Sequence, residues 1–267
     1  MSNPLYEKTE TDSALDALAH ITTRLPEPFL LLGGWGVFVT VNDSFNEEHG
    51  SDYLGSRDID VCFHIDPTVS EAELRSCTFS RALSIVQEIG YFPHGFCRFC
   101  RIIKKDTGET ITETAAKTMQ YHELFNLYVD MMVDNLHPLQ REVFGFVALD
   151  EPILGRVFNE RTGVKVNYRG VKLMIPPPVM LLATKLRSIP NREKGDKMIK
   201  DACDIYALLW HSPENYRNLL KEIHTQYPVD CITGFNAITA EISRKAAYHL
   251  GVDAERYRDV IKQLNEI

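Results

Sequence analysis

Two aspartates separated by one residue, Asp58 and Asp60, open an apolar run that continues to Ile65. In a strand, residues i and i+2 point to the same side of the sheet, so this spacing presents two carboxylates on one face. Two close carboxylates repel each other unless a cation lies between them. Hard oxygen ligands suit Mg²⁺, which keeps several waters and also takes substrate phosphates. The pair therefore predicts a magnesium site that handles a phosphorylated substrate.

A glycine pair, Gly33-Gly34, follows the short apolar run from Phe29 to Leu32. We expect these glycines to end a strand and to begin a helix, where backbone N–H groups and the positive end of the dipole attract phosphate. Glycine also lets the backbone approach phosphate oxygens without a side-chain clash. A metal site together with an anion-binding backbone suits a nucleoside triphosphate.

The order of Gly-Gly, a loop and Asp-x-Asp resembles the nucleotidyltransferase (DNA polymerase β-like) superfamily, and within it the AbiEii-type and minimal nucleotidyltransferases. Lys185-Leu186, behind three prolines, and Lys200-Asp201-Ala202-Cys203-Asp204 match two later motifs of that family. The superfamily also places a third carboxylate on a strand. Asp130, inside the apolar run from Leu124 to Val133, matches that position, and Asp134 is the alternative.

The resemblance implies a metal-dependent enzyme that moves a nucleoside monophosphate from an NTP to an acceptor hydroxyl, with Mg²⁺ or Mn²⁺ as cofactor. It implies catalytic and metal-binding roles for Asp58, Asp60 and Asp130. It also implies nucleotide-binding roles for Gly33, Gly34, Ser56, Arg57, Lys185, Lys200, Asp201 and Asp204. Many relatives carry serine where Gly34 stands, and Ser56 is a partial replacement for that hydroxyl. In such families the acceptor is RNA or tRNA, a protein or a small molecule, and some members are toxins paired with an antitoxin protein.

Several of these residues also have a structural explanation that requires no ligand. Asp58 and Asp60 can cap a strand end near solvent with Arg57 as a salt partner, and Lys185 can extend its charge to water from an apolar helix. The motif from Lys200 to Asp204 can be a solvated charged face with helical ion pairs. The corresponding alternative function is a non-catalytic nucleotide-binding or toxin–antitoxin interaction module.

Composition narrows the class of protein. The chain has 267 residues, 44% of them hydrophobic, which allows one large or two modest domains with a true core. A formal net charge of −8 argues against a broad electrostatic grip on nucleic acid. The N-terminus lacks an apolar signal core, no run reaches the length of a membrane span, and the six cysteines are scattered, so we expect a cytoplasmic protein.

One cysteine pair deserves a separate hypothesis, because His94, Cys97 and Cys100 have a spacing compatible with a metal. A structural zinc site needs four ligands, and only Cys77 is left to supply the fourth. We favour ordinary thiols here. We likewise expect His211, His224 and His249 to be surface or core residues of helices and not ligands.

Periodicity predicts an α+β fold that ends in a C-terminal helical bundle. The resemblance implies that its sheet is a nucleotidyltransferase-like mixed sheet with flanking helices. We expect a catalytic domain over residues 1–175 and a helical domain over residues 176–267, with the active site between them. The pattern also predicts two hairpins, one polar loop and two long helices. The hairpins are 98–114 and 164–175, the loop is 42–56, and the helices are 71–89 and 231–250.

Overall fold

The computed structural model describes residues 5–95, 97–193 and 195–266. By its internal contacts the chain forms two compact units. The sheet unit contains Tyr6–Leu32 and Ser56–Pro176, and the helical unit contains Gly33–Gly55 and the chain from Pro177 onward. The predicted division into domains over 1–175 and 176–267 stays a prediction.

The sheet unit combines nine strands with six helices in the part of it that the structure describes. The strands are β1 (Phe29–Leu31), β2 (Asp58–Phe63), β3 (Phe92–Pro93), β4 (Arg98–Lys104), β5 (Thr110–Ile111), β6 (Leu124–Val133), β7 (Leu149–Asp150), β8 (Val164–Tyr168) and β9 (Val171–Ile175). The helices are α1 (Lys8–Thr22), α3 (Glu71–Ser76), α4 (Thr78–Glu88), α5 (Glu113–Ala116), α6 (Gln140–Phe144) and α7 (Gly155–Glu160), and α2 belongs to the helical unit.

The main sheet has the order β1-β2-β6-β4-β3, with β5 paired to β4 and β7 paired to β6. Strands β2 and β6 run parallel at its centre, whereas β1 and β4 are antiparallel to them. The side chains of Ile59, Val61, Leu127 and Val129 are fully buried. Because side chains alternate along a strand, this buried row leaves the intervening positions of β2 and β6 to the opposite face.

The helical unit consists of α2 (Gly33–His49), α8 (Pro178–Ser188), α9 (Gly195–His211), α10 (Tyr216–Gln226), α11 (Pro228–Ala237), α12 (Ala240–Leu250) and α13 (Ala254–Lys262). Helix α9 packs against α2, α8 and α12. Its residues from Ala202 to Leu209 are almost entirely buried, as expected for a helix that is surrounded by others. Close packing is also seen where Gly234 of α11 meets Leu186 of α8, since a Cβ atom there would lie 2.6 Å from a leucine methyl group.

The structure confirms the predicted α+β class, with a mixed sheet, flanking helices and a helical C-terminal region. It also confirms both hairpins, because β4 pairs with β5 and β8 pairs with β9 in antiparallel register. In the described residues, no helix combines the length and apolar character that crossing a membrane requires.

Three sequence-based expectations about elements were wrong. The segment predicted as a loop from Asn42 is helical to His49, because Val37, Val41 and Phe45 form a buried row at helical spacing. The helix predicted over 71–89 is interrupted at Cys77, whose extended backbone caps α4. The helix predicted over 231–250 is two helices, since Thr239 has an extended backbone and caps α12 with its hydroxyl.

Candidate functional site

The Asp-x-Asp motif lies at the start of β2, in the sheet unit. Asp58 and Asp60 are half-buried, while Ile59 and Val61 between and after them are fully buried. Backbone contacts fix this strand end, because the Leu32 N–H donates to the Asp60 carbonyl oxygen at 2.9 Å. The hydroxyl of Ser56 donates to the carbonyl oxygen of Asp58 at 3.1 Å. The predicted arrangement of two carboxylates on one face of one strand is confirmed.

Strand β6 places the third aspartate beside this pair. Asp60 is the register partner of Asp130, and Asp58 is the register partner of Tyr128. Neighbouring residues in register on parallel strands point to the same face. Asp58, Asp60 and Asp130 therefore share one face of two adjacent strands, and we call them the carboxylate cluster.

The alternative third carboxylate, Asp134, has a different environment. It is completely buried, accepts a hydrogen bond from the Ile65 N–H at 2.9 Å, and lies 2.6 Å from Nδ1 of His64. These contacts hold the chain together where β2 and β6 end. Of the two aspartates considered from the sequence, Asp130 is the one that joins the carboxylate cluster.

Arg98 is the cation of this face. It is the register partner of Asp130 on β4, and its guanidinium donates to both Asp130 oxygens, with 2.6 Å from Nε to Oδ1. Its Nη2 also lies 3.6 Å from Oδ2 of Asp58, and its guanidinium lies 4.5 Å from the ring centroid of Tyr128. The hydrogen bonds to Asp130 raise the pKa of Arg98, and the charges of Asp58 and Asp60 add to that rise. Paired donation of this kind is a strong, directional interaction.

The donors of the cluster fit a hard divalent cation. Carboxylate oxygens are the ligands that Mg²⁺ prefers, and a cationic group already binds between Asp130 and Asp58. In the described part of the chain, the three aspartates do not bring one oxygen each within 4.8 Å of the others. Asp58 and Asp60 are thus the residues that would hold the ion, and Arg98 competes with it for Asp130.

Arg57, next to the motif, contacts a different carboxylate. Its Nη1 lies 3.5 Å from Oε2 of Glu10, and its guanidinium lies 4.5 Å from the ring centroid of Tyr6. Glu10 is nearly buried and is also 3.3 Å from Nζ of Lys105. Arg57 is a little over one-third exposed, so part of its guanidinium remains accessible to an anion.

The glycine pair lies in the helical unit at the beginning of α2, a helix of 17 residues. Gly33 has a φ of 58°, in the left-handed region that favours glycine, and Gly34 is buried. The first backbone N–H groups of a helix have no partner within the helix. The expected combination of glycines and a helix start is confirmed.

The helical unit also gathers the four charged residues of the later motifs. Nζ of Lys185 lies 2.7 Å from Oδ1 of Asp201 and 2.8 Å from Oδ2 of Asp204. Lys200 donates to Oδ1 of Asp204, which also accepts from the Tyr53 hydroxyl at 2.7 Å. We call Lys185, Lys200, Asp201 and Asp204 the buried ion network.

Burial distinguishes this network from a surface ion pair. The exposed fractions of its four residues run from 0% to 7%, so neither a solvated charged face nor a lysine that extends to water describes it. Burial alone would raise the pKa of Asp201, but the charges of Lys185 and of Arg192, 2.6 Å away, lower it to about 2. The two aspartates likewise outweigh the effect of burial on Lys185 and raise its pKa.

Sequence reasoning did not identify one arginine and one grouping of side chains. Arg98 was not predicted as a site residue, and because β4 also carries Arg101 and Lys104, its sequence does not single Arg98 out. His211, expected to be no ligand, joins Glu48 and His49 in a group whose ligand atoms lie within 4.8 Å of one another. In the described residues, Cys97 and Cys100 belong to no such group of three, and burial raises the pKa of Cys100 to about 12.

Comparisons with known proteins are sparse. No family model matches the chain, and no curated protein matches it. Among solved structures, it is similar to an antigenic nucleotidyltransferase-like protein from Paracoccidioides brasiliensis, with a TM-score of 0.38 and 12% sequence identity. That similarity covers 85% of this chain and 92% of the other.

Proposed function

We propose that this protein transfers a nucleoside monophosphate from an NTP to an acceptor hydroxyl. The register of β2 and β6 supports the proposal, because it places Asp60 beside Asp130 with Asp58 on the same face. Carboxylates at these strand positions are donors of the type that binds divalent cations and, through them, phosphates. Within the helical unit, the glycine pair begins α2, where the first N–H groups of a helix attract phosphate.

The reaction is an in-line displacement at the α-phosphorus. The acceptor oxygen forms a bond to that phosphorus, the bond to the β-phosphate oxygen breaks, and pyrophosphate leaves with the electron pair. The acceptor hydroxyl loses its proton during the attack. The protein must therefore orient the hydroxyl, accept its proton and offset the negative charge on the leaving group.

Each member of the carboxylate cluster has a role in this proposal. Asp58 and Asp60 would hold a Mg²⁺ or Mn²⁺ ion, which would supply Lewis-acid activation and charge neutralisation. Asp130 orients the acceptor hydroxyl and takes its proton. Because Arg98 occupies both oxygens of Asp130, one of those hydrogen bonds must open before Asp130 can accept that proton.

The other predicted site residues are candidates for contacts with the phosphates or for the support of those contacts. Contact of Gly33, Gly34, Ser56 and Arg57 with the phosphate oxygens stays a prediction. Direct contact of Lys185, Lys200, Asp201 and Asp204 with the nucleotide stays a prediction, since their contacts in the structure are mainly with one another.

The proposal does not specify the acceptor. RNA or tRNA, a protein and a small molecule are the three acceptor classes, and the net charge of −8 favours the last two over a broad nucleic-acid contact. A place among the AbiEii-type toxins, with an antitoxin protein as partner, remains a prediction.

A transfer assay tests the function. The protein is incubated with Mg²⁺, each α-³²P-labelled NTP and one acceptor class at a time, beside Asp60→Asn and the matched control Asp106→Asn. Asp106 is an exposed hairpin aspartate paired with Lys104, so its loss changes charge without touching the carboxylate cluster. Label transferred by wild type and Asp106→Asn, but not by Asp60→Asn, is the expected result. Equal labelling by all three proteins would contradict the proposal.

One observation favours a second function, a nucleotide-binding module without catalysis. The paired hydrogen bonds from Arg98 already neutralise Asp130, so the cluster can be a structural ion pair. In that case Mg²⁺-dependent NTP binding would be measured by calorimetry while no acceptor became labelled.

A further inference from the structure

Two histidines and a glutamate meet where two helices of the helical unit end. Glu48 and His49 are the last residues of α2, and His211 is the last residue of α9. One ligand atom of each lies within 4.8 Å of the others, and this is the only group of three such residues among those the structure describes. The proposed nucleotidyl transfer does not use any of them.

Both imidazole rings have a buried nitrogen without a hydrogen-bond partner. These are Nε2 of His49 and Nε2 of His211, and His211 is only 1% exposed. A buried polar atom that stays unsatisfied is destabilising. An ion or a water molecule in contact with both nitrogens would satisfy them.

The surroundings hold the two rings in fixed orientations. The hydroxyl of Ser44 lies 3.3 Å from Nδ1 of His211, which assigns the other nitrogen, Nε2, to whatever binds. The ring of Phe45 stacks on His49 with 4.3 Å between centroids and meets His211 edge-on at 5.1 Å. Metal-bound histidines are oriented in this way by a hydrogen bond to their second nitrogen.

The electrostatics favour neutral imidazoles beside a charged carboxylate. Burial lowers the pKa of His211 to about 4 and also lowers the pKa of His49. A hydrogen bond from Arg256 lowers the pKa of Glu48. Imidazole nitrogens and a carboxylate oxygen are the donor types of known zinc sites. The C-terminal ends of α2 and α9 add the negative ends of two helix dipoles, which attract a cation.

We propose that Glu48, His49 and His211 form a binding site for a transition-metal ion of the Zn²⁺ class. Two imidazoles and one carboxylate are a known ligand set for zinc, and they leave a fourth position for water. Imidazole nitrogen selects Zn²⁺ and its neighbours in the first transition row over Mg²⁺. This site does not depend on the proposed nucleotidyl transfer.

The glutamate has the outer contacts that a ligating carboxylate requires. Arg256 lies 2.6 Å from Oε1 of Glu48, and the indole N–H of Trp210 donates to Oε2 at 3.2 Å. Oε1 lies 4.0 Å from Nε2 of His49. Zn–ligand distances of about 2.0–2.2 Å place tetrahedral ligand atoms roughly 3.4 Å apart, so these side chains must move closer together when they bind the ion.

Metal binding to the whole protein tests the site. After removal of metals with a chelator, Zn²⁺ is titrated by calorimetry into wild type, His49→Gln, His211→Asn and the matched control His122→Gln. His122 is an exposed histidine of the sheet unit. We expect one equivalent of Zn²⁺ per wild-type chain and per control chain. We expect the affinity to fall by at least about 10-fold in each ligand variant.

A second test is the absorption spectrum of the wild-type protein with Co²⁺ bound. This test does not depend on whether any variant folds. Tetrahedral absorption bands without thiolate charge transfer support the site, whereas thiolate bands would assign the metal to cysteine. A Cys97→Ser/Cys100→Ser variant, which is expected to bind Zn²⁺ as the wild type does, separates the two sources. Absence of Zn²⁺ binding to wild type, or unchanged affinity in a folded His49→Gln variant, would overturn the proposal.

Discussion

The carboxylate cluster and the buried ion network both consist of two or three aspartates with their basic partners. They differ in how deeply these side chains are buried. The Asp201 and Asp204 side chains are 3% and 0% exposed, whereas those of Asp58 and Arg98 are 23% and 29% exposed and that of Asp130, which pairs with Arg98, is 9% exposed. A charge inside the protein cannot exchange its partner for water without a large desolvation cost. The comparison teaches that burial separates charges that support a fold from charges that remain able to take a ligand.

The largest expected effect is on the buried ion network. Asp204→Ala removes the anion that Lys185 and Lys200 share, and breaking a buried pair in this way costs about 3–5 kcal/mol of unfolding free energy. Urea denaturation measures it. Glu71→Ala, which breaks an exposed pair with Arg75, is the control and should cost about 1 kcal/mol or less. Similar losses of unfolding free energy in the two variants would show that burial does not distinguish the network from an exposed ion pair.

The carboxylate cluster should show the opposite pattern. Asp60→Asn is expected to lower nucleotidyl transfer by at least about 100-fold, because an electrostatic contact in the transition state is lost. Its free energy of unfolding should change little, since the Asp60 side chain is only half-buried. Activity assays and urea denaturation of the same preparation give both quantities. Loss of stability in proportion to activity would make Asp60 a structural residue.

Acid should weaken the network through Asp201. Its pKa of about 2 in the folded protein lies below the ordinary 3.8, so the folded state binds fewer protons than the unfolded state. The resulting stability is present above about pH 4 and is lost as the pH falls towards 2, and it amounts to about 2 kcal/mol. Urea denaturation between pH 6 and pH 3 should show a steeper decline for wild type than for Asp201→Asn. Parallel curves would contradict this.

A smaller effect is expected from Arg98. Arg98→Met removes the cation that pairs with Asp130 and should cost about 1–3 kcal/mol without divalent ions. Mg²⁺ should then raise the melting temperature of Arg98→Met more than that of wild type, because the ion replaces the missing positive charge. Equal responses to Mg²⁺ would show that the ion does not replace Arg98 beside Asp130.

The accuracy of the sequence-based predictions for these regions depended on how far apart in the chain the interacting residues lie. The shared face of Asp58 and Asp60 follows from the two-residue period of one strand, and it was predicted correctly. The registers of Asp60 with Asp130 and of Asp130 with Arg98 join strands far apart in the chain, and no local pattern sets them. Arg98 was therefore missed, while Asp130 was found through a resemblance.

The ends of helices were also difficult to predict from the local sequence. Polar residues from Asn42 onward were interpreted as a loop, yet Phe45 continues the buried row of α2 and the helix reaches His49. The extra turns bring Glu48 and His49 to His211. The histidine group could not be foreseen because its two parts lie in elements whose packing the sequence does not specify.

The shared bonds of Asp204 have a consequence for how the helical unit opens. Tyr53, Lys185 and Lys200 all contact this one carboxylate, so the segment after α2, helix α8 and helix α9 cannot separate without leaving a bare charge inside the protein. Partial openings of any single helix are correspondingly rare. We expect the backbone amides of α8 and α9 to exchange their hydrogens for deuterium together, as one cooperative unit.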